Sequence, residues 1–105
     1  MPTQTFSTPG TDTADVAEPE IKEPPLYAVY LHNDDYTTMD FVVLILKEIF
    51  FMNEEKAIAV MLKVHQEGVA KCGTYVKEIA ATKRLQVTRQ AQKAGFPLLC
   101  TIEEE

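Results

Sequence analysis

Between an apolar strand pattern and a long apolar helix pattern stands Asn33-Asp34-Asp35-Tyr36-Thr37-Thr38-Met39-Asp40-Phe41, a corner crowded with hydrogen-bond acceptors. Short Asn and Asp side chains bond to their own main chain and compete with regular structure, which places such runs at turns and helix starts. Asn33, Asp34 and Asp35 in succession can also hold a positively charged or amine-bearing ligand at the rim of a core. Further on, Met61, Val64 and His65 are spaced i, i+3, i+4 and so share one face of a helix. If that face abuts the corner, the result is an apolar cup with polar acceptors on its lip. Met39 and Met61 suit such a cup, since a flexible thioether moulds to varied guests. A Met/Val stripe at helical spacing is equally what an ordinary core face looks like. The residues alone leave both readings open.

Other chemistries find less support. The chain has no nucleophile elbow, phosphate loop, dinucleotide fingerprint or metalloprotease helix motif, and no serine after Ser7. Cys72 with His65 would make a thiol–imidazole pair, but Cys72 sits in a strand pattern between Ala70 and Gly73. Free cysteines are among the most buried residues, and burial inactivates a thiol. His32, Asp34, Asp35 and His65 are ordinary ligand types for a metal, yet their spacing matches no closed motif. Adjacent Asp34 and Asp35 also tend to point apart. The expectation is a protein without catalytic residues, metal or cofactor.

Composition bounds the rest. With 105 residues, 46% of them apolar, there is material for one domain with one modest core. A net charge of −6 argues against nucleic acid and against an anionic membrane surface. No apolar run approaches the roughly 20 residues of a membrane span. Met1-Pro2-Thr3-Gln4 has neither the basic and apolar regions of a secretory signal nor the Arg-rich character of a transit peptide. Two cysteines, Cys72 and Cys100, form no disulfide framework. A cytoplasmic protein with reduced thiols is expected.

The chain changes character at Pro24-Pro25. Residues 1–25 are poor in large apolar side chains, and Asp12, Asp15, Glu18, Glu20 and Glu23 against Lys22 leave them at −4. Such a segment buries too little surface to offset its ordering entropy, so a disordered arm is expected, stiffened at the Pro pair. From Leu26 the pattern predicts a strand to His32, apolar on both faces. Thr37 with Asp40 has the form of a capping box for a helix carrying Phe41, Val42, Leu44, Ile45, Leu46, Ile49 and Phe50. Asn53 is the expected N-cap of a second helix, with Ala57, Val60, Met61 and Val64 as its apolar period and Gly68 as its stop. Val69 to Tyr75 reads as a strand, Val76 to Ala94 as a third helix ending at Gly95, and Leu98 to Ile102 as a last strand before the acidic end. The order β-α-α-β-α-β, with strands and helices sharing one core over 26–105, is α+β.

From Pro24 through Ile102 the chain resembles ClpS, the adaptor of the ATP-dependent Clp protease. The resemblance rests on Asn33-Asp34-Asp35-Tyr36-Thr37, Met39-Asp40-Phe41-Val42, Met61-Leu62, and Val64-His65 followed by Gly68. It continues through Cys72-Gly73, Ala81-Thr82-Lys83 and Pro97-Leu98-Leu99-Cys100. It covers the whole expected folded part in order and leaves out only the arm. The resemblance implies a three-stranded antiparallel sheet packed against three helices, in a monomeric adaptor that is not itself an enzyme.

It further implies a recognin for N-degrons, binding proteins whose first residue is Phe, Tyr, Trp or Leu and delivering them to a AAA+ unfoldase. On that basis Asn33, Asp34 and His65 would engage the free α-amino group, and Asp35 and Thr37 the first stretch of substrate backbone. Met39, Val42, Met61, Val64 and Leu98 would line the side-chain pocket, with Met39 excluding β-branched guests. Glu78 and Lys83 would dock on the N-terminal domain of the Clp unfoldase, and the arm would enter its channel. Two positions depart from the family pattern. Thr38 stands where relatives commonly have Pro, which frees φ at the helix entry and loosens the expected rim. Val76 stands where a capping Thr is common, leaving Thr74 as the substitute. The alternative is a plain protein-interaction domain of the α+β shape of the ribosomal stalk protein's C-terminal domain, with no such pocket.

Overall fold

The computed structural model describes residues 23–105. The expected arm therefore lies, up to residue 22, outside the described residues. The order is β1 (Leu26–His32), α1 (Met39–Glu48), α2 (Glu54–Glu67), β2 (Val69–Val76), α3 (Lys77–Ala94) and β3 (Leu99–Glu104). β1 lies between β2 and β3 and pairs antiparallel with both. The α+β fold is as the pattern predicts.

β1 is the central strand, and burial reaches both of its faces. Ala28, Val29 and Leu31 are fully buried. Its register with β2 shifts between Val29, opposite Gly73, and Tyr30, opposite Lys71, which leaves Cys72 as the extra residue of a bulge. Val42, Ile45 and Leu46 of α1, with Ile49 at its C-cap, follow the helical period into the core. Complete burial of Ile45 and Leu46 contributes about 1.5–3 kcal/mol each. α2 adds Ala57, Met61 and Val64 from one face. α3 adds Ala80, Val87 and Ala91, small side chains that let this helix lie close to the sheet.

Three boundaries differ from expectation, each for a local reason. The N-cap of α1 is Thr38, whose Oγ1 accepts from Phe41 N–H at 3.2 Å; Thr37 does not cap, because its own hydroxyl is drawn to Asp34. The N-cap of α3 is Val76, which has no side-chain cap bond, and Thr74 cannot serve because it lies within β2 paired with Ala28. β3 begins at Leu99 and continues to Glu104, since β1 offers ladder partners as far as Tyr27. Acidic residues thus enter the strand. Asn53 caps α2 as expected, accepting from Lys56 N–H at 2.8 Å, and Gly68 ends it at φ 89°, where a β-carbon would be strained.

The turn from α1 into α2 contains Phe51, which takes φ 55° and is 80% exposed. Lys83 of α3 closes this end of α1 by donating from Nζ to Ile49 O at 2.6 Å, while standing 4.5 Å from the Phe51 ring centroid. At the other end of α1, Phe41 packs against Phe96 with ring centroids 4.9 Å apart. That pair anchors the loop that leads through Leu98 into β3. No helix among the described residues is long and apolar enough to cross a membrane.

Candidate functional site

The corner is stitched to the far end of α2 by one backbone bond. Asn33 N–H donates to Gly68 O at 2.8 Å. Because Gly68 is the C-cap of α2, this bond brings the last turn of that helix, with Val64 and His65, up against the corner. Tyr36 N–H and Thr37 N–H then converge on Asp34 Oδ1 at 2.8 and 2.7 Å, and the Thr37 hydroxyl donates to Oδ2 at 2.7 Å. Partial burial of Asp34 acts to raise its pKa, but the bonds from Thr37 and Tyr36 outweigh it and hold the carboxyl below its ordinary value.

Between the corner and the two helices lies a cleft of about 250 Å³. Asn33, Asp34, Asp35, Thr37 and His65 supply its polar rim, and Met39, Val42, Met61 and Val64 its apolar wall. Val42, Met61 and Val64 are buried and form the floor; Met39, 45% exposed at the first residue of α1, stands at the lip. The volume is below the roughly 300–1,000 Å³ of pockets that enclose drug-sized ligands. It suits one large side chain with its neighbouring backbone. Two carboxylates line it and no Lys or Arg does, so its electrostatics favour a cation.

The structure therefore brings together nine of the ten residues expected to contact a ligand. The tenth, Leu98, is buried in the core and is not part of the cleft lining. Glu78 and Lys83 lie elsewhere, on α3. Glu78 is exposed in the first turn, and Lys83 is partly buried against Ile49 and Phe51. Every residue lining the cleft was visible in the sequence pattern or the resemblance; the capping role of Thr38 was not, because two threonines in a row offer the same signal.

The alternative chemistries lose their geometry. Cys72 donates to Ala70 O at 3.7 Å and makes no bond to His65. Burial pushes the Cys72 thiol up to about 12, with Cys100 adding to the effect, and burial does the same to Cys100. His32 Nε2 is 2.8 Å from Thr101 Oγ1, turned to β3. Among the described residues no group of three or more His, Cys, Asp or Glu side chains is arranged to hold a metal ion.

The family model described as ATP-dependent Clp protease adaptor protein ClpS matches residues 22–101. The chain belongs to the ClpS family. The ATP-dependent Clp protease adapter protein ClpS of Vibrio atlanticus (strain LGP32) is 52% identical over 99 residues, covering 94% of this chain and 93% of the relative. That of Neisseria gonorrhoeae (strain ATCC 700825 / FA 1090) is 57% identical over 81 residues, 77% of this chain and 78% of the relative. Among solved structures, Agrobacterium tumefaciens ClpS2 bound to L-phenylalaninamide superposes with a TM-score of 0.77 at 42% identity, covering 79% of this chain and all of that one. As a ClpS-family chain it is an adaptor of the Clp protease.

Proposed function

We propose that the cleft captures the free α-amino group and bulky apolar first residue, Phe, Tyr, Trp or Leu, of N-degron substrates for delivery to a Clp AAA+ unfoldase. The observation that carries this reading is the convergence of Asn33, Asp34 and His65 with Met39, Val42, Met61 and Val64 around one small cleft. L-phenylalaninamide, the ligand of the Agrobacterium relative, combines a free α-amine with a Phe side chain. An α-ammonium offers three donors, and Asn, carboxylate and neutral imidazole are acceptors. Asp34 already receives three internal bonds, so its remaining lone pairs and its charge serve the amine, while Asn33 and His65 supply direct acceptors. Asp35 and Thr37 on the rim hold the first stretch of substrate backbone.

Met39 at the lip acts as the gate against β-branched first residues, and Leu98 backs the pocket from the core. Glu78 and Lys83 on α3 dock on the N-terminal domain of the unfoldase, leaving the cleft open to the substrate. The adaptor core spans 26–105 and works as a monomer. Charge-assisted bonds are worth roughly 1.5–3 kcal/mol each, whereas one methylene in an apolar pocket discriminates by about 1–3 kcal/mol. Selectivity is therefore for a free amine first and for side-chain shape second. The test is fluorescence anisotropy with a labelled peptide beginning with Phe, its N-acetylated form, and a peptide beginning with Val. Binding of the first alone is expected; equal binding of the free and acetylated Phe peptides refutes the amine assignment.

A further inference from the structure

The methionines among the described residues differ in how open they are to solvent. Met61 on the cleft floor is buried, Met52 is half-buried against the core, and Met39 at the cleft lip is 45% exposed. Met39 and Met61 both line the cleft, so one of its two thioether side chains is open to small reagents and the other is covered. The two cysteines do not compete for such reagents. Both are buried, and burial pushes their thiols up to about 12, so neither offers a thiolate.

Met39 also stands where a change of polarity acts on the cleft and not on the fold. It is the first residue of α1, whereas the side chains that helix buries are Val42, Ile45 and Leu46. Oxidation turns a flexible apolar thioether into a polar, chiral sulfoxide. The sulfoxide oxygen accepts hydrogen bonds and has no proton to give. The rim beside it is already rich in acceptors: Asp34 and Asp35 are carboxylates, no Lys or Arg lines the cleft, and the Thr37 hydroxyl is spent on Asp34 Oδ2. A bond to the oxygen from Asn33 or His65 would engage a side chain that an incoming amine also needs. The oxygen therefore keeps its water, and an apolar guest must strip that water away without replacing its bonds.

We propose that Met39 is a reversible oxidation site at which a peroxide lowers the cleft's affinity for an apolar first residue, a role that rests on the cleft being the seat of such a residue. The Met39 sulfur attacks hydrogen peroxide with a lone pair. A sulfur–oxygen bond forms, the oxygen–oxygen bond breaks, and the departing oxygen takes the proton of the transferred hydroxyl and leaves as water. The sulfur is oxidised by two electrons and the peroxide is reduced by two. Methionine sulfoxide reductases, one for each sulfoxide epimer, reverse the change by drawing two electrons from a dithiol and releasing the oxygen as water. A seated first residue covers the lip, so a loaded adaptor is spared and an empty one is turned off.

The test treats the full chain with hydrogen peroxide, locates the added oxygen by mass mapping of its peptides and reads affinity for the labelled Phe peptide by fluorescence anisotropy. Met39 is expected to be converted well before Met61, and saturating Phe peptide should slow its conversion while leaving that of Met52 unchanged. Once Met39 is converted, affinity should fall about tenfold with the thermal melt preserved, and the two reductases together should restore it. Met39→Leu, compared with itself before and after peroxide, should show no such fall. Equal conversion of Met39 and Met61, unchanged affinity after conversion, an equal fall in Met39→Leu, or a fall that comes with loss of the thermal melt each overturns the proposal. Failure of the untreated chain to bind the Phe peptide is a separate result, which refutes the cleft as the seat of a first residue and this role with it.

Discussion

The Thr37 hydroxyl donates to Asp34 Oδ2 at 2.7 Å, closing a latch whose other half is the pair of Tyr36 and Thr37 amides on Oδ1. Asp34 therefore shapes the rim of the cleft before it can act on any ligand. A carboxylate that accepts three bonds orders a turn that its neighbours, Asn33 and Asp35, leave open to the cleft mouth. The same bonds favour its charged form at the rim of the cleft.

The latch carries a pH signature. The folded-state pKa of Asp34 is lowered from its ordinary 3.8, so the stability it contributes is present above that value and is lost as pH falls through the lowered one. Titration of the Tyr36 and Thr37 amides by NMR should show a midpoint below 3.8. Thr37→Val removes one of the lowering bonds and should move that midpoint upward. A wild-type midpoint at or above 3.8 would contradict the assignment.

Met39 should separate specificity from stability. It is 45% exposed, so Met39→Ala is expected to change folding stability by no more than about 0.5 kcal/mol. If the thioether gates the cleft, the variant should bind a Val-initiated peptide up to about tenfold more tightly, the equivalent of about 1.4 kcal/mol. Peptide titration beside urea denaturation reads both quantities.

Thr38→Pro tests the family departure at the helix entry. Thr38 already has φ −74°, within the range proline imposes, so the ring can be accommodated. Proline removes about 0.4–1 kcal/mol of unfolded-state entropy, while loss of the Oγ1 cap costs about 0.5–2 kcal/mol. A net change of about 1 kcal/mol or less is expected in thermal melts. The Asp34 latch, which the substitution leaves in place, still holds the rim, so Phe-peptide affinity should change little.

Gly68→Ala is expected to cost about 1–2 kcal/mol, because φ 89° is strained for an L side chain although a β-carbon there would meet no atom within 4 Å. In a domain of this size that is a fall in Tm of about 4–8 °C per kcal/mol. Gly68→Asn, which tolerates the left-handed region, should lose less. Since Gly68 O receives the Asn33 amide, both variants should also shift the Asn33 signal.

Leu98→Ala should act through packing. The residue is buried in the core and outside the cleft lining, so a loss of about 2–5 kcal/mol in denaturation is expected. Met61→Ala, at the cleft floor, should weaken Phe-peptide binding more than Leu98→Ala does when both are measured in the folded range.

Much of the molecule was readable from residue order because the signals are local. β1 was predicted from Leu26 to His32 and is found there, since alternation and turn residues bound it on both sides. Asn53 and Gly68 were readable as the ends of α2 because cap chemistry depends on a few neighbouring residues. The cap of α1 was misplaced by one position because the competition between Thr37 and Thr38 is settled by Asp34, which takes the first hydroxyl for itself. The far end of β3 was set short because the pairing of Glu104 with Tyr27 comes from β1 and not from the strand's own composition.

Residue order also determined the kind of chemistry available, namely an acceptor-rich corner, a Met/Val/His helix face and two cysteines in apolar strands. Periodicity and side-chain type are properties of neighbours along the chain, so they can be read without coordinates. Closure of the cleft is a property of neighbours in space. It waits on the Asn33–Gly68 bond, which brings the corner to the last turn of α2. The same holds for Leu98, which packing buries in the core outside the cleft lining, and for Lys83, whose ammonium donates to the Ile49 carbonyl at the end of α1. A donor goes to whichever acceptor the fold brings within about 3 Å, and no local pattern specifies which one that will be.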